Sequence, residues 1–440
     1  MEISFLIIFS FFFFLLAWKK IEIALMLTVL LLPSYLIRFE VFSIPATLLE
    51  IMILLLFIVW GIKKVFIDKL KDIKCTQFKW PLLLLFVSAT IAVFISPDLQ
   101  SALGIYKAYF VEAILFFIVF TNVINSPRRI RLIFWALGVS ALFVSVIALW
   151  QYIEILPSYE PWVSESPKRV TSIFEYPNAV GLYLTPIATL FLGILLLAKK
   201  HDKKADNKLA KGARQFITGV VIFALLAIAF SVSRGAVLGI GAAILFFSFF
   251  SRFKKWIWIA IVVSVLTVLI IPQTRTTVWD IVTVKDTSTD VRTVLWQGTW
   301  NLIKDRPLQG AGLAGFPTVY EEYKLAKHTE FLLYPHNIVM NFWVELGILG
   351  LIALLWLLVM FFKEGHSIRK RTIDLYPIPK FRFSIVLMGV LIATLAYGMV
   401  DVPYFKNDLA VLFWIIVGFM VSQKNISNQS RGGQKSNFTL

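Results

Sequence analysis

The chain has 440 residues, 59% of them hydrophobic and 15% aromatic, with a mean hydropathy of +0.80. A soluble globular domain does not carry that balance. The 43 Lys and Arg exceed the 26 Asp and Glu and leave a formal net charge of +17, which raises the question of a nucleic-acid partner.

Taken from the N-terminus, apolar runs of membrane-crossing length recur throughout. They place transmembrane helices near 3–18, 21–37, 43–62, 80–96, 103–124, 129–152, 178–198, 215–231, 235–250, 255–271, 336–361, 383–399 and 406–422. The expected fold is an all-α polytopic membrane protein with about 12–13 spans. Residues 1–18 do not read as a cleaved leader, because they open with Glu2, carry no Lys or Arg and lead to no small-residue cleavage site. The expected organisation is one integrated membrane domain. Transmembrane helices occupy 1–271, an extracytoplasmic loop 272–335, further transmembrane helices 336–422 and a cytoplasmic tail 423–440.

Charge placement answers the nucleic-acid question. Most of the Lys and Arg fall at 19–20, 63–79, 128–131, 199–214, 252–255, 363–382 and in the tail, which are alternate loops of that topology. This is the positive-inside pattern, so the basic excess encodes orientation and no nucleic-acid partner is expected. The only cysteine, Cys75, lies in a loop assigned to the cytoplasm. A disulfide within the chain is impossible, and thiol catalysis on the outer face is excluded. No internal repeat and no inverted pair of broken spans marks a transporter.

Four outward segments then carry ionisable groups close to the membrane: 168–178 with Arg169, 231–235 with Arg234, the long loop, and 401–404 with Asp401. Arg234 stands at the outer end of a span, where this chain has few cations. Snorkelling is the bland alternative, but the planar fork of Arg suits a diphosphate. Within the long loop, Asp290 to Lys304 reads as a helix, with Thr287, Thr289 and Asp290 as N-cap candidates and Pro307 as the stop. Arg292, Trp296, Thr299 and Ile303 share one face of it, and Trp296 and Trp300 suit the membrane surface. Gly310-Ala-Gly312-Leu-Ala-Gly315 formally matches a dinucleotide fingerprint. It follows a helix and a proline rather than a strand, so it reads as a turn returning the chain to the membrane.

His336, in Tyr334-Pro335-His336-Asn337, sits where the long loop meets the next span. A lone His there is often structural. A helix N-terminus, however, offers N–H groups to an anion and keeps imidazole neutral and able to accept a proton. His328 and Glu330 are the neighbouring alternatives. Glu50, Lys107 and Glu112 are exceptional within spans, and neither glutamate gains a role from sequence. No D-x-D or paired-carboxylate signature supports a metal-assisted mechanism.

Together these residues resemble a known family. The run from Arg292 through Trp296, Asp305, Pro307, Gly310 and Gly312 to Phe316 looks like the loop signature of the O-antigen ligase and O-antigen polymerase superfamily. His336-Asn337 followed by Glu345, Gly347, Gly350 and Leu351 is similar to its next block. Ser233-Arg234-Gly235, Phe174 with Pro177-Asn178, and Asp401-Val-Pro403 running on to Phe413-Trp414 also resemble family patterns. The resemblance covers about 169–420, and Pro335 stands where many members carry Ala or Ser.

What the resemblance implies is a membrane glycosyltransferase of the C type in the bacterial inner membrane. It would move a glycan from a polyprenyl-diphosphate (undecaprenyl-diphosphate) donor to a sugar hydroxyl on the extracytoplasmic face, with no cofactor and no metal. His336 would be the general base, and Arg234 and Arg292 the catalytic diphosphate clamps. Arg169, Trp296, Asn337 and Asp401 would bind substrate. The acceptor is lipid A–core of lipopolysaccharide in a ligase, or a second lipid-linked repeat in a polymerase. A lipid-linked oligosaccharide flippase is the alternative of another class, and it predicts charges lining a path through both leaflets.

Overall fold

The computed structural model describes residues 3–41, 44–68, 76–162, 164, 166–198, 208–272, 275–276, 279, 287–326 and 332–436. Cys75, His328 and Glu330 lie outside the described residues. The chain is an all-α polytopic membrane protein. Its first half comprises α1 (Ile3–Lys19), α2 (Ile21–Leu30), a short hairpin of β1 (Arg38–Val41) and β2 (Ile44–Thr47), α3 (Leu48–Ile62), α4 (Lys79–Ile95), α5 (Leu99–Val123) and α6 (Pro127–Tyr152). Then follow α7 (Pro177–Leu197), α8 (Lys208–Phe230), α9 (Arg234–Ser248), α10 (Lys254–Ile270), α11 (Thr287–Asp305), α12 (Phe316–Tyr320) and α13 (Ile338–Ser367). A second hairpin, β3 (Ile373–Leu375) and β4 (Ile378–Phe381), precedes α14 (Phe383–Gly398) and α15 (Asn407–Ser436).

Each expected span falls on one of these helices. Among the described residues, six helices are long and apolar enough to cross a membrane unaided, and five apolar helices are shorter. The cause is visible in two places. The second expected span is divided by Pro33, which ends α2 in a 3₁₀ turn over Leu32–Leu36. The third starts late because β1 and β2 precede it, and a capping box begins α3: the Thr47 hydroxyl accepts from the Glu50 amide at 3.3 Å, and the Glu50 carboxylate accepts from the Thr47 amide at 3.1 Å.

Helices α7, α9 and α14 pack against one another. Glycines allow close approach there: a Cβ on Gly239 would lie 2.6 Å from the Ala393 carbonyl oxygen, and one on Gly235 would strike the Tyr397 ring. These helices share their ends. One end carries Asn178, Arg234 and Tyr397, which line one cavity. The other carries Leu197, Arg252 and Arg382, which line another together with Lys370.

The connection from α10 to α13 builds its own small core from Leu295, Leu302, Ile303, Phe316 and Tyr320 against Val344. The glycine-rich stretch is the expected turn. Gly310 and Gly312 adopt φ of +65° and +80°, the Ala311 amide donates to Val344 O at 2.7 Å, and the Leu313 amide donates to Ala92 O at 3.1 Å. The turn fits into a break in α13 at Gly347, where φ is +66° and a side chain would strike the Leu308 carbonyl. Glu345 pins it by accepting from the Ala314 amide at 2.7 Å.

Candidate active site

Four sequence candidates converge on one cavity of 610 Å³. Arg169, Arg234, Arg292 and Asp401 all line it, along with Asn178, Thr289, Tyr397 and an apolar wall of Val232, Val237, Leu238 and Val400. Each arginine arrives from a different element. Arg169 lies in the connection before α7, where its Nε donates to Ser231 O at 3.1 Å, its Nη2 donates to Asn178 Oδ1 at 3.1 Å, and its guanidinium stacks 5.4 Å from the Trp162 ring. Arg234 is the first residue of α9, delivered by a tight turn in which Val232 holds φ +53°, a conformation β-branched residues avoid. The Ser233 hydroxyl bonds the Tyr397 hydroxyl at 2.7 Å, and Tyr397 donates to Asn178 O at 3.0 Å, which ties that turn to α14 and α7. Arg292 comes from α11, and its Nε donates to Val400 O at 3.2 Å.

The α11 stripe behaves as its spacing predicts. Arg292 reaches the cavity, Trp296 donates from Nε1 to Pro335 O at 2.9 Å, and Thr299 and Ile303 are buried. Trp296 therefore holds the His336 loop, while Trp300 is exposed and packs edge-on against Trp343.

His336 stands one contact from the cavity. Its Nδ1 lies 3.3 Å from Asp401 Oδ1; Asp401 is almost wholly buried, and the same oxygen accepts from the Val402 amide at 2.9 Å. A carboxylate at Nδ1 selects the tautomer with the proton there and leaves Nε2 as the basic atom. The helix-terminus expectation is corrected in one respect. Helix α13 starts two residues later, at Ile338, and Asn337 Oδ1 already accepts from the Val339 and Met340 amides at 3.0 and 3.2 Å. Those N–H groups are committed to the cap, and the group that meets the imidazole is Asp401. Asn337 also donates to Met399 O at 3.1 Å. Between these anchors and the Trp296 bond, His336 is held at φ +47°.

Two features of this end of the bundle have no sequence signal. Tyr334 packs 4.7 Å edge-on to the His336 ring, and its phenol interacts electrostatically with that of Tyr176. Burial pushes both phenols above their ordinary pKa, so they stay neutral. Lys406 sits among Tyr35, Phe174 and Tyr176, its Nζ 5.0, 4.8 and 5.2 Å from the three ring centres. Burial lowers its pKa, and Asp408 and Glu175 oppose that shift. Among the described residues, no group of three His, Cys, Asp or Glu side chains is placed to hold a metal ion.

A polytopic membrane protein with three guanidinium groups and a His–Asp pair around one cavity is a candidate for chemistry on a lipid-borne anion. Residues 219–355 match the family described as O-antigen ligase, so over that stretch the chain is similar to the O-antigen ligase and polymerase superfamily, whose members are glycosyltransferase-type enzymes. The match contains Arg234, Arg292, Trp296, His336 and Asn337; Arg169 and Asp401 lie outside it and join the cavity through the fold. No curated protein matches the chain.

If Asp401 orients His336, Asp401→Asn lowers the transfer rate, but by less than the 10²–10⁴-fold expected for loss of the base itself, about 10-fold or more, with donor affinity little changed. Steady-state kinetics with donor and acceptor varied separately check this. An unchanged rate removes Asp401 from the mechanism.

Proposed function

We propose that the protein is an O-antigen ligase-like glycosyltransferase. It moves a glycan from a polyprenyl-diphosphate donor to a sugar hydroxyl of an acceptor glycolipid on the extracytoplasmic face of the bacterial inner membrane. The observation that carries this reading is the gathering of Arg169, Arg234 and Arg292 around one cavity that also contains the carboxylate buttressing His336. Such a cavity matches a donor with two phosphates at the membrane surface, and its apolar wall suits the first isoprenoid units.

In this mechanism Nε2 of His336 takes the proton from the acceptor hydroxyl as its oxygen bonds to the anomeric carbon. The bond from that carbon to the diphosphate oxygen breaks, and the electron pair leaves with the polyprenyl diphosphate. Arg234 and Arg292 stabilise the charge that develops there, with Arg169 as a third cation. Trp296, Asn337 and Asp401 act as positioning residues for the base. No metal takes part in any of these steps.

Outward orientation is supported by the Lys and Arg of 199–214 and 363–382, which flank the helix ends opposite the cavity. A flippase calls for polar lining continuous across both leaflets, whereas Arg169, Arg234 and Arg292 gather in one cavity.

The test is transfer from a lipid-linked glycan by the purified protein in liposomes, with lipid A–core or a second lipid-linked repeat supplied as acceptor. Product on lipid A–core supports the ligase, and chain extension alone supports the polymerase. Glycan crossing the bilayer without transfer overturns both. Activity is expected to survive EDTA. In a Cys75→Ser background, Glu321→Cys is expected to be labelled by an impermeant maleimide in intact cells, and Lys211→Cys to be protected; the reverse result inverts the topology.

A further inference from the structure

A separate cavity, of 260 Å³, shares no lining residue with the arginine cavity and has no part in the mechanism above. Arg38, Phe39, Glu50, Lys107, Tyr109 and Asn407 line it. It is a structured site. Glu50 is fixed by the α3 capping box, Lys107 Nζ lies 3.0 Å from Glu50 Oε2 and donates to Pro45 O at 2.7 Å, and Asn407 Nδ2 donates to Glu50 Oε1 at 3.4 Å. The Glu50 carboxylate offsets Lys107, which leaves the positive charge of Arg38 on the exposed rim. Side-chain amide and carboxylate groups beside two aromatic rings suit a sugar, and the surplus cation suits an acidic one.

Its place relative to His336 gives it a role. The connection from α14 to α15 runs from one cavity to the other, with Asp401 on the first and Asn407 on the second. Between them lies Lys406 in its aromatic cage. Tyr176 of that cage interacts electrostatically with Tyr334, whose ring packs on His336. The Tyr404 hydroxyl, on the same connection, donates to Tyr109 O at 3.0 Å. His336 is thus reached from the arginine cavity through Asp401 and from the second cavity through Tyr176 and Tyr334. Direct displacement at an anomeric carbon requires the entering and leaving oxygens to lie on opposite faces, so an acceptor should approach the base from the side away from the diphosphate.

We propose that the second cavity is the acceptor subsite and binds an anionic sugar of the acceptor glycan, with Arg38 and Lys107 meeting its negative charge and Asn407 and Glu50 its hydroxyls. The inference rests on the transferase reading and deepens it.

The probe is the acceptor glycolipid fraction extracted from cells that make the protein, titrated against the full chain in phosphatidylcholine liposomes and again in liposomes containing phosphatidylglycerol. Loss of a hydrogen bond to a charged group corresponds to roughly 10-fold or more in affinity. Arg38→Glu is therefore expected to raise the half-saturating acceptor concentration about 10-fold or more in both lipid mixtures, Arg38→Lys to raise it far less, and neither to move the half-saturating donor concentration. Arg38 is on the exposed hairpin, and if the Glu variant fails to fold, Arg38→Ala carries the test. An unchanged acceptor dependence overturns the proposal. So does a shift confined to donor, or one seen only with phosphatidylglycerol, which assigns the cavity to a phospholipid headgroup. His336→Ala measured alongside separates the two readings: if it is inactive while the Arg38 variants behave as wild type, the subsite alone is wrong. If it is active, the transferase mechanism itself fails.

Discussion

Arg234→Ala and Arg292→Ala are each expected to weaken donor binding by about 10²-fold and to slow transfer further. A guanidinium can give a phosphate two parallel charge-assisted hydrogen bonds, each contributing about 1.5–3 kcal/mol, and roughly 1.4 kcal/mol corresponds to tenfold. The extra loss in rate follows because charge on the departing diphosphate is greatest in the transition state. Lysine should restore little at either position. Arg292 uses Nε to hold the Val400 carbonyl and also lines the cavity, and a single ammonium group cannot reproduce the planar fork that allows both. Arg234 is directed by the strained Val232 turn and by the Ser233–Tyr397 bond, so its reach is set by the backbone. Binding of lipid-linked glycan to variants in nanodiscs, paired with transfer rates, checks both effects. Lysine variants close to wild type would show that charge alone is needed and that the bidentate clamp is wrong.

His336→Ala is expected to leave donor binding largely intact and to reduce transfer by about 10²–10⁴-fold, the usual contribution of a positioned general base. The separation follows from the layout. The arginines line the cavity directly, whereas His336 stands behind Asp401 and faces the Tyr176–Tyr334 side. Its truncation removes no diphosphate ligand. The surrounding bonds from Trp296 to Pro335 and from Asn337 to Met399 do not involve the imidazole, so the loop should keep its shape.

Much of this was legible in the chain because hydrophobic run length and helical spacing are local. The apolar runs mark the helices, and the spacing of Arg292, Trp296, Thr299 and Ile303 marks the face of α11 that packs inward. The Thr47-Leu-Leu-Glu50 pattern is a local signature of the capping box, which gives Glu50 a structural role that its isolation within a span conceals. Other features depend on contacts far apart in sequence. Asp401 meets His336 across 65 positions, and the Lys406 cage draws its rings from residues 35, 174 and 176. Nothing near Asp401 in sequence distinguishes an orienting carboxylate from a substrate ligand. The helix-terminus argument at His336 failed on one residue: Asn337 is the cap, and its side chain takes the amides that an anion would have used.

The central claim is that His336 removes the acceptor proton while other residues hold the donor. Single-turnover transfer from a radiolabelled lipid-linked glycan, measured in liposomes with His336→Ala and with donor occupancy determined on the same sample, tests it most directly. The account predicts full occupancy and transfer slower by about 10²–10⁴-fold. Transfer by the alanine variant at a near-normal rate would contradict it and move the base to another residue.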